Sequence, residues 1–163
     1  MAVTNQISPD QLADYVLYKL GGTSHIKLQK LVYYIDAWHL ATFGSPIVRE
    51  EFEAWLHGPV LRSLFSRFRG EGYLMYDGIT LSEDRRARVE AEIIPSLAED
   101  QIDLIEDVLG EYGSKPAYHL ECLTHSEQPW IEARRGVPDG EASSNRISKE
   151  VTRRYYESRF EQQ

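Results

Sequence analysis

The sequence predicts a mainly α-helical domain with a minor β component, packed around one central helix. Three observations lead there. Residues 24–43 (SHIKLQKLVYYIDAWHLATF) place Leu28, Leu31, Ile35 and Trp38 on one face of a 3.6-residue period, widened by Val32, Tyr34, Ala37, Leu40 and Ala41. Helix start and stop signals recur along the chain at helical spacing. Strict apolar–polar alternation is confined to a few short runs.

The central stretch comes first because it sets the size of the domain. A helix of about 20 residues runs roughly 30 Å, the width of a small domain. Only Lys27, Gln29, Lys30, Asp36, His39 and Thr42 interrupt its apolar surface, so other elements are expected on several sides. Asp36 and the lysines argue against a membrane span.

Ahead of it, Ser8-Pro9-Asp10-Gln11 reads as a capping box with proline in the first turn. Leu12, Val16 and Leu20 then line one face, and Gly21-Gly22 ends the helix. Thr23 or Ser24 caps the central helix, and Gly44-Ser45-Pro46 stops it. In 51–56, Phe52, Ala54 and Leu56 alternate with Glu51, Glu53 and Trp55, which predicts a short half-buried strand. His57-Gly58-Pro59 is a sharp corner, and Pro59 is expected to open a helix with Val60, Leu61, Leu64, Phe65 and Phe68 on its apolar face.

Asp77-Gly78 predicts a hairpin near 73–81. Residues 82–92 suit a helix, while the alternation of Val89, Ala91 and Ile93 suits a strand. Ser96 to Glu99 resembles a capping box ahead of a stripe of Leu104, Ile105, Val108, Leu109 and Tyr112. The far side of that helix holds Glu99, Asp100, Asp103, Glu106, Asp107 and Glu111. A short helix follows Ser114, with Cys122 in an apolar setting expected to bury its thiol. One or two turns open at Pro129-Trp130, residues 137–145 are loop, and Ile147, Val151 and Tyr155 mark the face of a last helix.

At 163 residues the chain is long enough to build a core without metal or disulfide. One cysteine permits no internal disulfide, and the N-terminus shows neither a basic start nor an apolar run. A cytoplasmic protein is expected. The net charge of −8 disfavours binding along a phosphate backbone. The arginine groups 62/67/69, 85/86/88 and 153/154/159 each lie among acids and read as solvated helix faces.

None of the five histidines has zinc-type spacing with Cys122 or with another histidine, and no phosphate loop or nucleophile elbow is present. No metal, cofactor or catalytic residue is therefore assigned. A Cys122–histidine pair with His119 or His125 would need folded geometry to be claimed. His57 and His125 each adjoin a forced turn and are expected to hold it by hydrogen bonding.

Several stretches together resemble the Panacea domain, the SocA-like antitoxin family also found in phage-associated proteins. They are Lys27-Leu28-Gln29-Lys30-Leu31-Val32-Tyr33-Tyr34, then Trp38 and His39, then Phe52 to Trp55 running into His57-Gly58-Pro59-Val60. Leu120 to His125, Pro129-Trp130 and Ala133 resemble the family's second half, and Ile147 with Tyr155-Tyr156 its closing helix. The likeness implies one domain over 1–163, with 70–95 a variable insertion. Its motif positions, Lys27, Gln29, Lys30, Tyr34, Trp38, Trp55, His57, Gly58, Pro59, Val60, His125, Pro129 and Trp130, serve the fold or a partner.

The resemblance also implies an antitoxin that binds a toxin encoded nearby and carries out no reaction. A variant would deliver the toxin to a protease, so a protease or chaperone enters as a second partner. A nucleic-acid-binding regulator is the remaining alternative. Candidate toxin contacts are Tyr33, Trp55, Arg62 and Trp130, with Asp103, Glu106 and Asp107 at the rim. Neither a membrane nor a nucleic acid is expected as partner.

Overall fold

The computed structural model describes residues 5–71 and 78–160, and it is mainly helical with one small sheet. Helix α1 (Pro9–Leu20) starts on the expected box: Ser8 Oγ accepts from Gln11 N, and Gln11 Oε1 accepts from Ser8 N. Gly21 takes a left-handed φ of +79° and closes the last turn onto Leu17. Helix α2 (His25–Phe43) is capped by Ser24 and ends at Gly44 in the same way.

Helix α2 is the axle of the molecule. It packs against α1, a two-stranded sheet, α6 (Glu99–Tyr112), α7 (Ala117–His125) and α9 (Lys149–Phe160). Leu28, Leu31, Ile35 and most of their neighbours are inaccessible to solvent, while Trp38 is half-buried. The polar interruptions do not form a wet stripe. Gln29, Lys30, Asp36 and His39 are all buried, as is His25.

Each of these buried groups ties down a neighbouring segment. Asp36 Oδ1 accepts from Ile47 N at 2.9 Å and Val48 N at 3.2 Å, which folds the chain back after the helix. Its Oδ2 pairs with Lys149 Nζ at 2.8 Å, at the start of α9. His39 Nδ1 lies 2.6 Å from Ser45 O and its Nε2 3.0 Å from Gln101 Nε2. The ring therefore donates to the carbonyl and accepts from the amide. Burial holds the His39 pKa below its ordinary value, partly offset by the Ser45 carbonyl.

Strands β1 (Glu53–Trp55) and β2 (Gly58–Val60) pair antiparallel, with Ala54 opposite Pro59 and Trp55 opposite Gly58. Pro59 thus sits in a strand rather than opening a helix, and α3 (Arg62–Phe68) begins three residues later. Residues 145–147 cover the other edge of β1 through Ala54 N–Asn145 O and Ile147 N–Phe52 O, both 2.7 Å. Residues 72–77, which include 73–77 of the expected hairpin, lie outside the described residues. Ile79 bridges Thr23.

Residues 83–96 settle as helix: α4 (Glu83–Arg88), one π turn (Val89–Ile93) and α5 (Ile94–Ser96). Val89 and Ile93, four apart, enter the core, whereas Ala91 is exposed, which a strand would not allow. The start of α6 also differs from expectation. Ala98 is its N-cap, with Ala98 N donating to Gln101 Oε1, while Ser96 Oγ donates back to Ile93 O.

Two faces are turned from where the spacing put them. Cys122 is exposed, because α7 buries Leu120 and Thr124 and sends Cys122 to the far side. In α9 the buried residues are Thr152 and Tyr156, not Val151 and Tyr155. Ile147 precedes that helix and belongs to the strand-like pairing with Phe52, so it does not set the helical face. Helix α8 (Gln128–Ala133) opens at Pro129 as expected. Among the described residues, no helix is long and apolar enough to cross a membrane.

Asp36→Ala leaves Lys149 and the Ile47 and Val48 amides without their acceptor, so it should lower stability by about 3–5 kcal/mol in urea melts. Asp36→Asn keeps a carbonyl for the amides and should cost less. An alanine variant as stable as the parent would contradict this role.

Candidate functional site

Most of the motif residues converge on the β1–β2 hairpin and grip its backbone, whereas Tyr34 and Trp38 lie farther along α2 and Lys27 is half-buried at its start. Gln29 and the Leu61 peptide exchange two bonds: Leu61 N donates to Gln29 Oε1 at 2.9 Å, and Gln29 Nε2 donates to Leu61 O at 3.3 Å. Lys30 Nζ donates to Pro59 O at 3.1 Å. From the opposite side, Trp130 Nε1 donates to Trp55 O and Arg134 Nη1 to Ala54 O, both at 2.9 Å. The hairpin is short, so side chains from α2 and the α8 end of the chain replace the neighbours a wider sheet would supply.

Gly58 is required at the turn by both conformation and space. Its φ is +111°, and a Cβ there would lie 2.4 Å from Lys30 Cε and 2.9 Å from Thr124 Oγ1. Val60, Pro59 and Pro129 are buried around it. His125 stacks on Trp130, with centroids 4.0 Å apart and planes at 16°. His57 Nδ1 meets Glu121 Oε1 at 2.9 Å, at the half-exposed edge of the corner.

Burial sets the titration of this cluster. It pushes the Lys30 amine down to about 7, with Glu121 pulling the other way. It also lowers His125, again opposed by Glu121, and takes His25 to about 4, with Lys30 adding to the effect. A second buried polar knot lies nearer the other end of α2. The Tyr34 and Tyr156 hydroxyls both donate to Glu127 Oε1, at 2.9 and 2.7 Å. Burial raises the Glu127 carboxyl, while the Tyr156 and Tyr34 hydroxyls pull it back.

The Gln29, Lys30 and Trp130 side chains are spent on fixing the hairpin. The Lys30 amine has no solvent access and is committed to Pro59 O. Among the described residues, no group of three or more histidine, cysteine, aspartate or glutamate side chains is placed to hold a metal ion. Each arginine group has members engaged with acids. Arg62 forks onto Glu53 at 2.8 and 2.9 Å, Arg67 and Arg85 both meet the buried Asp14, and Arg153 bridges Glu150 and Glu157.

The expected contact residues separate. Tyr33 is 2 % exposed and belongs to the core, packed edge-on against Tyr34 and Phe52. Its place in a nearly all-round apolar helix argued for burial from the start. Trp55 and Trp130 are half-buried, with their indole N–H groups used internally. Arg62 is exposed beside Trp55 but paired. Asp103, Glu106 and Asp107 are exposed on α6, and of these Glu106 pairs with Lys19 of α1.

Two grooves mark the outer surface. One, about 800 Å³, runs along Trp55, Leu56, His57, Arg62, Phe65 and residues 142–144. The other, about 700 Å³, lies between the end of α2, α6 and the end of α9. Its floor includes Trp38, Leu104, Tyr112 and Phe160, and Trp38 Nε1 donates to Tyr112 Oη at 2.9 Å. Sequence reasoning missed Arg134, Glu121, Glu127 and Gln101 as structural partners. Nothing in their local pattern distinguishes them from surface polar residues.

The molecule is thus a helical scaffold in which Gln29 and Lys30 of α2 and Trp130 of α8 hold one short hairpin. The family model "Antitoxin SocA-like, Panacea domain" matches residues 28–131, and the chain belongs to that family. It is 31% identical over 108 residues to Antitoxin SocA of Caulobacter vibrioides (strain NA1000 / CB15N). That alignment covers 66% of this chain and 57% of the relative, so the chain spans little more than half the relative's length. No solved structure matches the chain significantly.

Two measurements test the hairpin anchor. Gly58→Ala forces a strained backbone against Lys30 and should destabilise by about 1–3 kcal/mol; an unchanged denaturation midpoint would contradict the packing. Because burial favours the neutral Lys30 amine, the unfolded chain binds more protons between about 7 and the ordinary lysine value of 10.5. Stability therefore rises with pH across that window, by up to about 1.4 kcal/mol per pH unit. Lys30→Met should lose that rise, and identical pH profiles for the two proteins would refute it.

Proposed function

We propose that this protein is an antitoxin that neutralises a toxin encoded beside it by direct protein–protein binding, without catalysing a reaction. Membership of the SocA-like Panacea family and the relative named Antitoxin SocA support the antitoxin role. The observation that carries the binding mode is where the motif is spent. Gln29, Lys30 and Trp130 of the motif, joined by Arg134 from outside it, are bonded to the hairpin backbone, and Tyr34 to Glu127. Most of the motif builds a rigid platform, and recognition falls to the surface around it, to which Trp38 of the motif contributes.

A stable interface of about 1,200–2,000 Å² suits a domain of this size, with its free energy concentrated in a few anchors. The protein acts in the cytoplasm, where a co-synthesised toxin first appears. The net charge of −8 favours encounter with a basic partner surface.

Expression of the neighbouring reading frame alone should arrest growth, and co-expression with this protein should restore it and yield a complex that co-purifies. A harmless neighbour, or rescue with no complex, would overturn the reading.

A further inference from the structure

Helix α6 carries Asp100, Asp103 and Asp107 along the α2–α6–α9 groove, spaced at i, i+3 and i+7. That spacing makes them one stripe on one wall. None of the three has an ion-pair partner among the described residues, whereas Glu106 has Lys19 and Glu111 has Lys115. Below the stripe the floor is apolar and aromatic, and Phe160 is 47% exposed at its end. Arg159 is the cation lining the groove.

The groove beside Trp55 is different. Its Arg62 already forks onto Glu53, so no unbalanced charge there indicates what would cover it. The α2–α6–α9 groove combines a half-buried aromatic floor, open at Phe160, with an acidic wall of three aspartates that have no ion-pair partner among the described residues and outnumber the single lining cation, Arg159. That combination is complementary to an amphipathic helix with an apolar stripe flanked by lysine or arginine.

Resting on the toxin-binding reading, we infer that this groove takes an amphipathic basic helix of the partner. The helix lays its apolar stripe over Trp38, Leu104 and Phe160 and its cations along Asp100, Asp103 and Asp107. The apolar floor supplies affinity, and the aspartates set orientation and speed of approach. Glu106 and Tyr33 take no part, the first because it faces α1 and the second because it is core.

The test uses a synthetic helical peptide of about 16 residues, roughly 24 Å long, with leucines at helical spacing and lysines on both flanks. It should bind the full chain, more weakly as salt rises, and a glutamate-for-lysine version should not bind. Asp103→Lys/Asp107→Lys should weaken binding about tenfold or more, or about 1.4 kcal/mol, and should lose toxin neutralisation. Both residues are exposed, so the variant should melt as the parent does. Asp103→Asn/Asp107→Asn should show a smaller loss of the same sign, which keeps the test sound if the lysines disturb the helix. Failure of the parent to bind the peptide, or equal binding by the charge-reversed variant, overturns the inference. So does a parent dimer that the variant converts to monomer, since the groove then belongs to a second copy. Peptide capture with the expected variant losses, but no rescue of growth by the parent, would remove the antitoxin reading and leave the groove as a docking site for a basic helix.

Discussion

Burying polar groups on the central helix is the constraint from which the rest of the structure follows. An amide, an amine, a carboxylate and an imidazole cannot leave water without partners. On α2 those partners are largely other segments: the Leu61 peptide for Gln29, Pro59 O for Lys30, the Ile47 and Val48 amides for Asp36, and Ser45 O and Gln101 for His39. Hydrophobic contact would hold the jacket on, but it is indifferent to small slides along the rod. The hydrogen bonds are directional and fix where each segment sits.

This explains why a short hairpin of three-residue strands is ordered at all. An isolated two-stranded hairpin is marginal in water. Here its carbonyls at Ala54, Trp55 and Pro59 are taken up by Arg134, Trp130 and Lys30. Gly58 lets the lysine stem pass against the turn. The pairing of a lysine-and-glutamine helix motif with a glycine-proline corner, 29 residues on from Lys30 at Pro59, is thus one physical unit, in which neither half is satisfied alone. The same logic separates scaffold from surface. Side chains already committed to the hairpin are poorly placed to read a partner, which is why the proposed recognition surface is the groove beside the acidic wall of α6.

Much of this was legible in the residues. The central helix, its caps at Ser24 and Gly44, the Ser8–Gln11 box and the turn at Pro129 follow from local chemistry and appear where that chemistry puts them. Local signals failed where tertiary pairing overrode them. Pro59 looked like a helix opener, but β1 recruits it as a strand. The Ser96 box lost to an Ala98 start stabilised by Gln101, whose amide also reaches Asn5 O and His39. The spacing of Ile147 matches the last helix although the residue pairs with Phe52, so the buried face of α9 lies one residue on from where that spacing puts it. The motif positions were legible as special, but their role was not. A lysine and a glutamine in an apolar helix read as a gap in burial until the backbone they serve is brought beside them.

The central claim is that these buried polar groups lock the hairpin to the axle helix. Native-state hydrogen exchange at the Leu61 amide, which donates to Gln29 Oε1, tests it most directly. The account predicts exchange only through global unfolding, with an opening free energy equal to that of the core of α2. Exchange at Leu61 as fast as in an exposed loop, with α2 still protected, would contradict it.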